Sequence, residues 1–301
     1  MTSERAFIDA LRSLATHPAA RGLSDDCAVL ELGGEALVLT HDAMAEGVHF
    51  LPGQDPADVA WKLVATNLSD LAAKGAEPLG VLLGYQLGAD DARFVAGLRE
   101  VLEHYQVPLL GGDTISATGP QVLGGDTISA TGPQVLGLTA LGRATHRPVP
   151  SRNGAQAGDA VWITGPVGAA MLGYEALQAG SGDSLAYRRP AALLAEGRAL
   201  APQVTAMMDV SDGLLLDAAR LAAASGVTIS LNSPAVPIAA PEAHRDAALR
   251  WGDDYQLLFT LPPHVEPAVP AHQIGEVLAQ GQAPLLLDGI APTAPLGYEH
   301  R

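Results

Sequence analysis

The sequence is poor in residues on which several large classes of protein depend. Its 301 residues include a single cysteine, Cys27, which excludes an internal disulfide and a CxxC metal site. Basic residues are also few, since 17 Lys and Arg stand against 33 Asp and Glu, for a formal charge of −16. Because a phosphate backbone requires a basic protein surface, this deficit argues against a nucleic-acid partner. Lysine occurs only at Lys62 and Lys74, so a bound phosphate must rely on arginine, backbone N–H groups or metal ions.

Long apolar runs and the commonest nucleotide and metal motifs are absent as well. No stretch has the length and apolarity of a membrane span, and the first residues lack the pattern of a signal peptide. We therefore expect a cytoplasmic protein. The chain contains no GxxxxGK[ST], no GxGxxG after a strand and no HExxH, so a bound nucleotide would not be held by a P-loop.

Hydrophobic periodicity predicts strands and helices in both halves of the chain. One helix is predicted to begin near Pro56, to place Trp61, Val64, Leu68 and Leu71 on one face, and to end at Gly75. Residues 27–32 and 36–40, joined by two glycines, are typical of a hairpin. Further strands are predicted at residues 81–87, 107–110, 134–141, 160–164, 207–210, 227–231, 255–261, 274–278 and 285–287, with helices at 6–14, 90–105, 167–178, 190–200 and 213–225. The class is α/β or α+β. A segment rich in Pro and Gly at residues 146–158 indicates a boundary between two domains of the chain, residues 1–148 and 149–301.

Acidic residues recur at the ends of these predicted elements, mostly beside Gly, Ser or Thr. They are Asp25–Asp26, Asp42, Asp70, Asp113 or its copy Asp126, Asp209 with Asp212, and Asp253–Asp254. Any one of them would more often cap a helix or a turn. Mg²⁺, however, takes oxygen ligands and commonly bridges to substrate phosphates. Six such clusters in one chain therefore favour a shared metal site.

A 13-residue segment is present twice, since residues 110–122 are repeated without change as 123–135. Two copies cannot build a stacked repeat, so this is a local duplication or an error in the sequence. Either Asp113 or Asp126 can then follow the strand predicted there. We expect Asp113, because a longer loop costs little closure entropy. The other register would also expel Pro108, Leu109 and Leu110 from the predicted core.

Taken together, these segments resemble the thiamine-monophosphate kinases, members of an ATP-binding superfamily that includes aminoimidazole ribonucleotide synthetase. The matching segments are 25–29, 42–50, 67–73 (Asn67-Leu68-Ser69-Asp70-Leu71-Ala72-Ala73), 111–114 (Gly111-Gly112-Asp113-Thr114), 152 with 158–159, 208–214, 252–255 and 297–300. The resemblance implies transfer of the ATP γ-phosphate to thiamine monophosphate, giving thiamine diphosphate. It also implies a homodimer, in which the mixed sheet of the N-terminal α/β domain completes a barrel, and a C-terminal α/β domain.

The resemblance implies a role for individual residues as well. By this resemblance, the residues that bind Mg²⁺ are Asp26, Thr40, His41, Asp42, Asp70, Asp113, Asp209 and Asp212. Asp42, Asp70 and Asp209 are the ones implied in catalysis. The residues implied to contact ATP are Gly112, Asp113, Arg152 and Ser211. Those implied to contact thiamine phosphate are His49, Asp253 and Tyr298. These roles suit phosphoryl transfer, in which catalysis is mostly positioning and charge neutralisation. The acceptor phosphate is already largely dianionic at neutral pH, so no strong general base is required.

Three positions depart from the family pattern. Ser24 stands where Gly is common, His41 where a hydroxyl residue is common, and Asp253 where Glu is usual. Imidazole is a poor ligand for Mg²⁺, and Asp253 is one methylene shorter than Glu. Two alternatives stay open. The first is another ATP-dependent enzyme of the superfamily, such as a selenophosphate or aminoimidazole ribonucleotide synthetase; the second is a catalytically impaired nucleotide- or metal-binding protein.

Overall fold

The N-terminal half is built on a mixed five-stranded sheet. The computed structural model describes residues 4–116, 132–293 and 295–299. The strands are β1 (Ala28–Leu32), β2 (Glu35–Ala45), β3 (Ala76–Leu87), β4 (Leu109–Ser116) and β5 (Val135–Ala144), in the order β1-β2-β5-β3-β4. Within this sheet β3 and β4 pair in parallel and the other described pairs are antiparallel, and β1 and β2 form the predicted hairpin. In the described residues the sheet stays open, with β1 and β4 at its edges.

Helix α2 (Pro56–Ala73) packs on this sheet and is buried along nearly its whole length. Its start is fixed by Asp55, whose carboxylate accepts from the N–H of Ala57, and by a proline at the first helical position. Its end is fixed by Gly75, which has a φ of 58° and lies against Ala201. The predicted helix is confirmed. Helices α1 (Glu4–Arg12) and α3 (Asp91–Tyr105) complete the helices of this half, and α3 packs on α2.

The C-terminal half contains a six-stranded sheet. Its strands are β6 (Ala160–Ile163), β7 (Ala206–Asp209), β8 (Thr228–Leu231), β9 (Leu257–Leu261), β10 (His272–Leu278) and β11 (Leu285–Leu287), in the order β11-β8-β10-β6-β9-β7. The helices are α4 (Ala169–Ala179), α5 (Leu185–Arg188), α6 (Leu194–Leu200), α7 (Leu214–Ser225) and α8 (Arg245–Arg250). None of the helices in the described ranges has the length and apolarity needed to span a bilayer.

The two halves share one apolar core. Met207 of β7 and Phe259 of β9 belong to the same buried cluster as Leu63, Leu68 and Leu71 of α2. A second cluster fills the space between the C-terminal sheet and α7. Helix α2 therefore lies between the two sheets, and polar residues near its C-terminal end reach both of them.

Strand β4 differs from the prediction at residues 107–110. It begins at Leu109 and continues to Ser116, because the backbone keeps pairing with β3 through Gly111 and Gly112. A side chain at position 112 would place a Cβ atom 2.0 Å from the carbonyl oxygen of Leu83. The argument from burial was also wrong, since Leu109 and Leu110 are 48% and 54% exposed. Asp113 lies inside the strand, whereas Asp126 lies outside the described residues.

Candidate functional site

Three aspartates from separate elements meet between the two halves of the chain. Asp26 precedes β1, Asp70 lies in the last turn of α2, and Asp209 ends β7. One carboxylate oxygen of each lies within 4.8 Å of the others. Three converging carboxylates are a donor set for a hard divalent cation such as Mg²⁺. Sequence reasoning predicted each of these residues, and the fold brings them together.

Burial and mutual repulsion disfavour ionisation of this group. Burial, together with the charges of Asp42, Asp209 and Asp26, raises the pKa of Asp70 well above its usual range. Burial and the charge of Asp26 likewise raise the pKa of Asp209 to about 7. Burial, with Asp26 and Asp212, raises the pKa of Asp42 to about 6. A bound cation would remove this repulsion, so the electrostatics also fit a metal site.

Strand β2 directs Thr40 and Asp42 toward this group but directs His41 away from it. The Thr40 hydroxyl donates to the carboxylate of Asp70. Because side chains alternate along a strand, His41 lies on the opposite face. There it is exposed, and its Nδ1 is 2.9 Å from the hydroxyl of Thr139. The imidazole of His41 therefore does not join the cluster of Asp26, Asp70 and Asp209.

Asp113 is also on the face away from the carboxylate group. Its row across the sheet runs through Gly84 and Gly137 to Ala43, the neighbour of Asp42 on β2. Residues in one row share a face, so Asp113 lies on the side of Ala43 and His41. Its side chain is exposed. The fold thus divides the predicted metal ligands between the two faces of the N-terminal sheet.

Three of the predicted site residues, Arg152, Ser211 and Asp212, are held by ion pairs or backbone hydrogen bonds. Arg152 donates to the carboxylate of Asp26, and its Nε is buried without a partner among the described residues. Asp212 forms an ion pair with Arg220. The backbone N–H groups of Ser211 and Asp212 donate to Asp217, at 3.1 and 3.0 Å. Asp217, which sequence reasoning missed, therefore shapes the loop that enters α7.

Sequence reasoning also missed the residues of α2 and its C-cap that hold the carboxylates in place. The ammonium of Lys74 is fully buried and donates to Asp25 at 2.5 Å and to Asp26 at 2.6 Å. Burial opposes ionisation of Asp25, but Lys74 and Arg21 together lower its pKa below the usual range. The hydroxyl of Ser69 donates to Asp209 at 2.5 Å.

The amide oxygen of Asn67 accepts from the backbone N–H of Asp42, at 3.0 Å. Asn67, Ser69 and Lys74 are all fully buried. Polar residues on the buried turns of an otherwise apolar helix were the signal available in the sequence, because buried polar groups need partners.

The three residues predicted to contact thiamine phosphate come from different parts of the chain. The backbone oxygen of His49 and the carboxylate of Asp253 both accept from Lys62, at 2.9 and 2.8 Å. Tyr298 is 48% exposed, and its backbone N–H donates to the carbonyl oxygen of Asp212 at 2.9 Å. The fold therefore joins His49 to Asp253 through Lys62 and places Tyr298 beside Asp212.

Comparisons with known proteins agree with this architecture. The family model for the N-terminal domain of AIR synthase related proteins matches residues 24–144, and the model for the C-terminal domain matches residues 156–283. A thiamine-monophosphate kinase of Caulobacter vibrioides is 36% identical, over 82% of this chain and 73% of the relative. One from Escherichia coli is 34% identical, over 80% and 76%.

The fold itself is shared with a solved structure. AaThiL complexed with AMPPCP and TMP superimposes with a TM-score of 0.84 at 29% identity, covering 99% of this chain and 97% of that one. Both domain models match in order, and the curated relatives exceed 30% identity over most of the chain. The chain therefore belongs to the AIR synthase related proteins and, within them, to the thiamine-monophosphate kinase family.

Proposed function

We propose that the protein is a Mg²⁺-dependent thiamine-phosphate kinase, which transfers the γ-phosphate of ATP to thiamine monophosphate. The observation that carries this proposal is the meeting of Asp26, Asp70 and Asp209 between the two halves, with one oxygen of each within 4.8 Å of the others. The relatives named thiamine-monophosphate kinase support the reaction. The fold match to a structure holding AMPPCP and TMP supports the two substrates.

The chemistry follows from the charges of the reactants. Two phosphate groups must approach each other, so catalysis depends on positioning and on neutralising negative charge. Mg²⁺ would supply that neutralisation, held by Asp26, Asp70, Asp209 and Asp42. Thr40 orients Asp70 through its hydroxyl. The acceptor is already largely dianionic at neutral pH, so the protein's own residues orient it and need not remove a proton.

The remaining site residues are assigned in the same way. Arg152 and Ser211 would contact ATP, with Gly112 allowing close backbone approach. Asp212 would hold a further cation. His41 and Asp113 share the other face of the sheet, so any cation that they bind would be a separate one. His49, Asp253 and Tyr298 would contact thiamine phosphate.

We further propose a homodimer that works in the cytoplasm. The open N-terminal sheet exposes Leu82, Leu109, Leu110 and Val135, apolar side chains that a second copy of the chain would cover. The single thiol, Cys27, is free and buried, which fits a reducing compartment.

Purified protein incubated with ATP, Mg²⁺ and thiamine monophosphate tests this function. Thiamine diphosphate and ADP should accumulate together, while free thiamine should not be phosphorylated at a comparable rate. Asp70→Asn protein is the matched negative control. ATP hydrolysis without thiamine diphosphate would favour another enzyme of the superfamily. Binding of nucleotide without any turnover would favour an impaired binding protein.

A further inference from the structure

Lys62 is a buried cation to which no role has been assigned. It lies in the middle of α2, and its side chain is only 1% exposed. A buried ammonium group is costly unless its three N–H donors are used. Its Nζ lies 2.9 Å from the backbone oxygen of His49, 2.8 Å from Oδ2 of Asp253, and 3.9 Å from the centre of the Tyr187 ring. Two acceptors and an aromatic face thus surround the ammonium group.

The two acceptors belong to different halves of the chain. His49 follows β2, where its Nδ1 accepts from the backbone N–H of Ala45 at 3.0 Å. Asp253 lies in the loop before β9. Its other carboxylate oxygen accepts from the hydroxyl of Tyr255, at 2.9 Å. Lys62 is therefore a direct link between the two segments that carry the proposed acceptor contacts.

Lys62 is one of the groups that hold the loop carrying Asp253. Asp253 and Tyr255 have φ values of 66° and 49°, in the left-handed region that side chains other than glycine seldom adopt. A backbone of this kind persists only where its surroundings hold it. The backbone N–H groups of Asp253 and Tyr255 donate to the carbonyl oxygens of Ser211 and Val210, at 2.8 and 2.9 Å. The carboxylate of Asp253 is held by the ammonium of Lys62 and the hydroxyl of Tyr255.

We propose that Lys62 is a positioning residue for the acceptor site, where it holds His49 and Asp253 in the relative placement that thiamine phosphate requires. This inference rests on the proposed function. Lys62 acts through these two residues and does not touch the substrate, because its ammonium is buried and already bonded to them. The ammonium of Lys62 bonds to His49 and Asp253, so its loss should act first on the thiamine phosphate contacts. The backbone N–H of Asp253 also donates to the carbonyl oxygen of Ser211, at 2.8 Å, so we expect a smaller effect on the ATP contacts.

Steady-state kinetics of Lys62→Met test the proposal, since methionine keeps most of the side-chain volume and removes the charge. We expect KM for thiamine phosphate to rise by about tenfold to a hundredfold, the scale on which a misplaced binding group acts. KM for ATP should rise less, by no more than about threefold, because Ser211 is joined to Asp253 through the backbone and not through its carboxylate. Arg93→Met is the matched control, because it breaks the exposed ion pair with Asp55. It should leave both KM values unchanged.

A double-mutant cycle separates positioning from general damage to the fold. If Lys62 acts mainly through the Asp253 carboxylate, Lys62→Met should raise KM for thiamine phosphate by no more than about threefold in an Asp253→Asn background. The double variant also carries no unpaired buried charge, so it remains testable if Lys62→Met alone does not fold. Equal rises in both KM values, or fully additive effects in the cycle, would overturn the proposal.

The failure of this inference and the failure of the proposed function are distinguishable. A wild-type protein that makes no thiamine diphosphate would overturn both. An active wild type whose Lys62→Met variant keeps a normal KM for thiamine phosphate would overturn the inference alone.

Discussion

Replacing Asp70 with asparagine should stabilise the metal-free protein and abolish most of its activity. Asp70 is surrounded by Asp26 and Asp209, with oxygens within 4.8 Å. At that distance and an effective dielectric constant of about 20, two full charges repel by about 3.5 kcal/mol. Because the pKa of Asp209 is raised to about 7, the group is only partly ionised at neutral pH. The net relief on removing one charge is therefore about 1–3 kcal/mol.

Other effects of this substitution should be small. The Thr40 hydroxyl can still donate to the amide oxygen of an asparagine, so the local hydrogen bond is kept. For domains of 150–250 residues, each kcal/mol raises Tm by about 2–4 °C, which predicts a gain of several degrees. Activity should fall by about two orders of magnitude or more, the scale seen when an electrostatic stabiliser of a transition state is lost.

Two measurements check this prediction. Thermal unfolding is followed in EDTA and in Mg²⁺, and thiamine diphosphate formation is followed with saturating ATP. In Mg²⁺ the wild type should gain more stability than Asp70→Asn, because the variant has lost a ligand. Asp246→Asn, at an exposed aspartate of α8, should change neither measurement. A variant that is less stable than wild type in EDTA, or that turns over normally, would refute the reasoning.

Three further predictions follow from the site. In EDTA, Tm should fall as pH rises from 5 to 8, because Asp42 and Asp209 have folded-state pKa values of about 6 and 7, above the ordinary value of about 4. The folded state then holds protons that the unfolded state has released; a Tm that rises over this window contradicts the assignment. Ser69→Ala should weaken Mg²⁺ binding by about tenfold to a hundredfold in calorimetric titration, since its hydroxyl orients Asp209; unchanged affinity would show that this hydrogen bond is dispensable. If Asp113 holds a separate cation on the other face of the sheet, as the family resemblance implies, Asp113→Asn should lower turnover while Asp126→Asn is tolerated; the opposite result would mean that the second copy of the repeat supplies the ligand.

Local features of the sequence were enough to predict the elements that carry the site. Pro56, the apolar spacing and Gly75 predict α2, and the paired glycines predict the β1–β2 hairpin, because these signals act between residues close in the chain. The acidic residues beside small ones predicted a metal site shared by six acidic clusters, and the structure brings three of their members, Asp26, Asp70 and Asp209, together. The order of the motifs along the chain predicted the family, and the comparisons confirm it.

Other features depend on strand register and on packing between the halves. Leu109 and Leu110 look like core residues in the sequence, yet β4 is an edge strand and leaves them exposed. The sequence could not show that Asp113 lies on the face of His41, because this depends on the pairing of β4 with β3 and of β3 with β5. Shifting a strand by one residue moves every side chain to the other face.

Local sequence predicted the ligands of the site, whereas tertiary packing decided which groups hold those ligands in place. Carboxylates beside glycine and serine can be recognised one segment at a time, so the sequence by itself determined which residues could bind metal and phosphate. Lys62, by contrast, contacts Asp253, which lies 191 positions further along the chain. Tertiary structure alone decided that contact, because a buried charge takes the partner that packing brings to it.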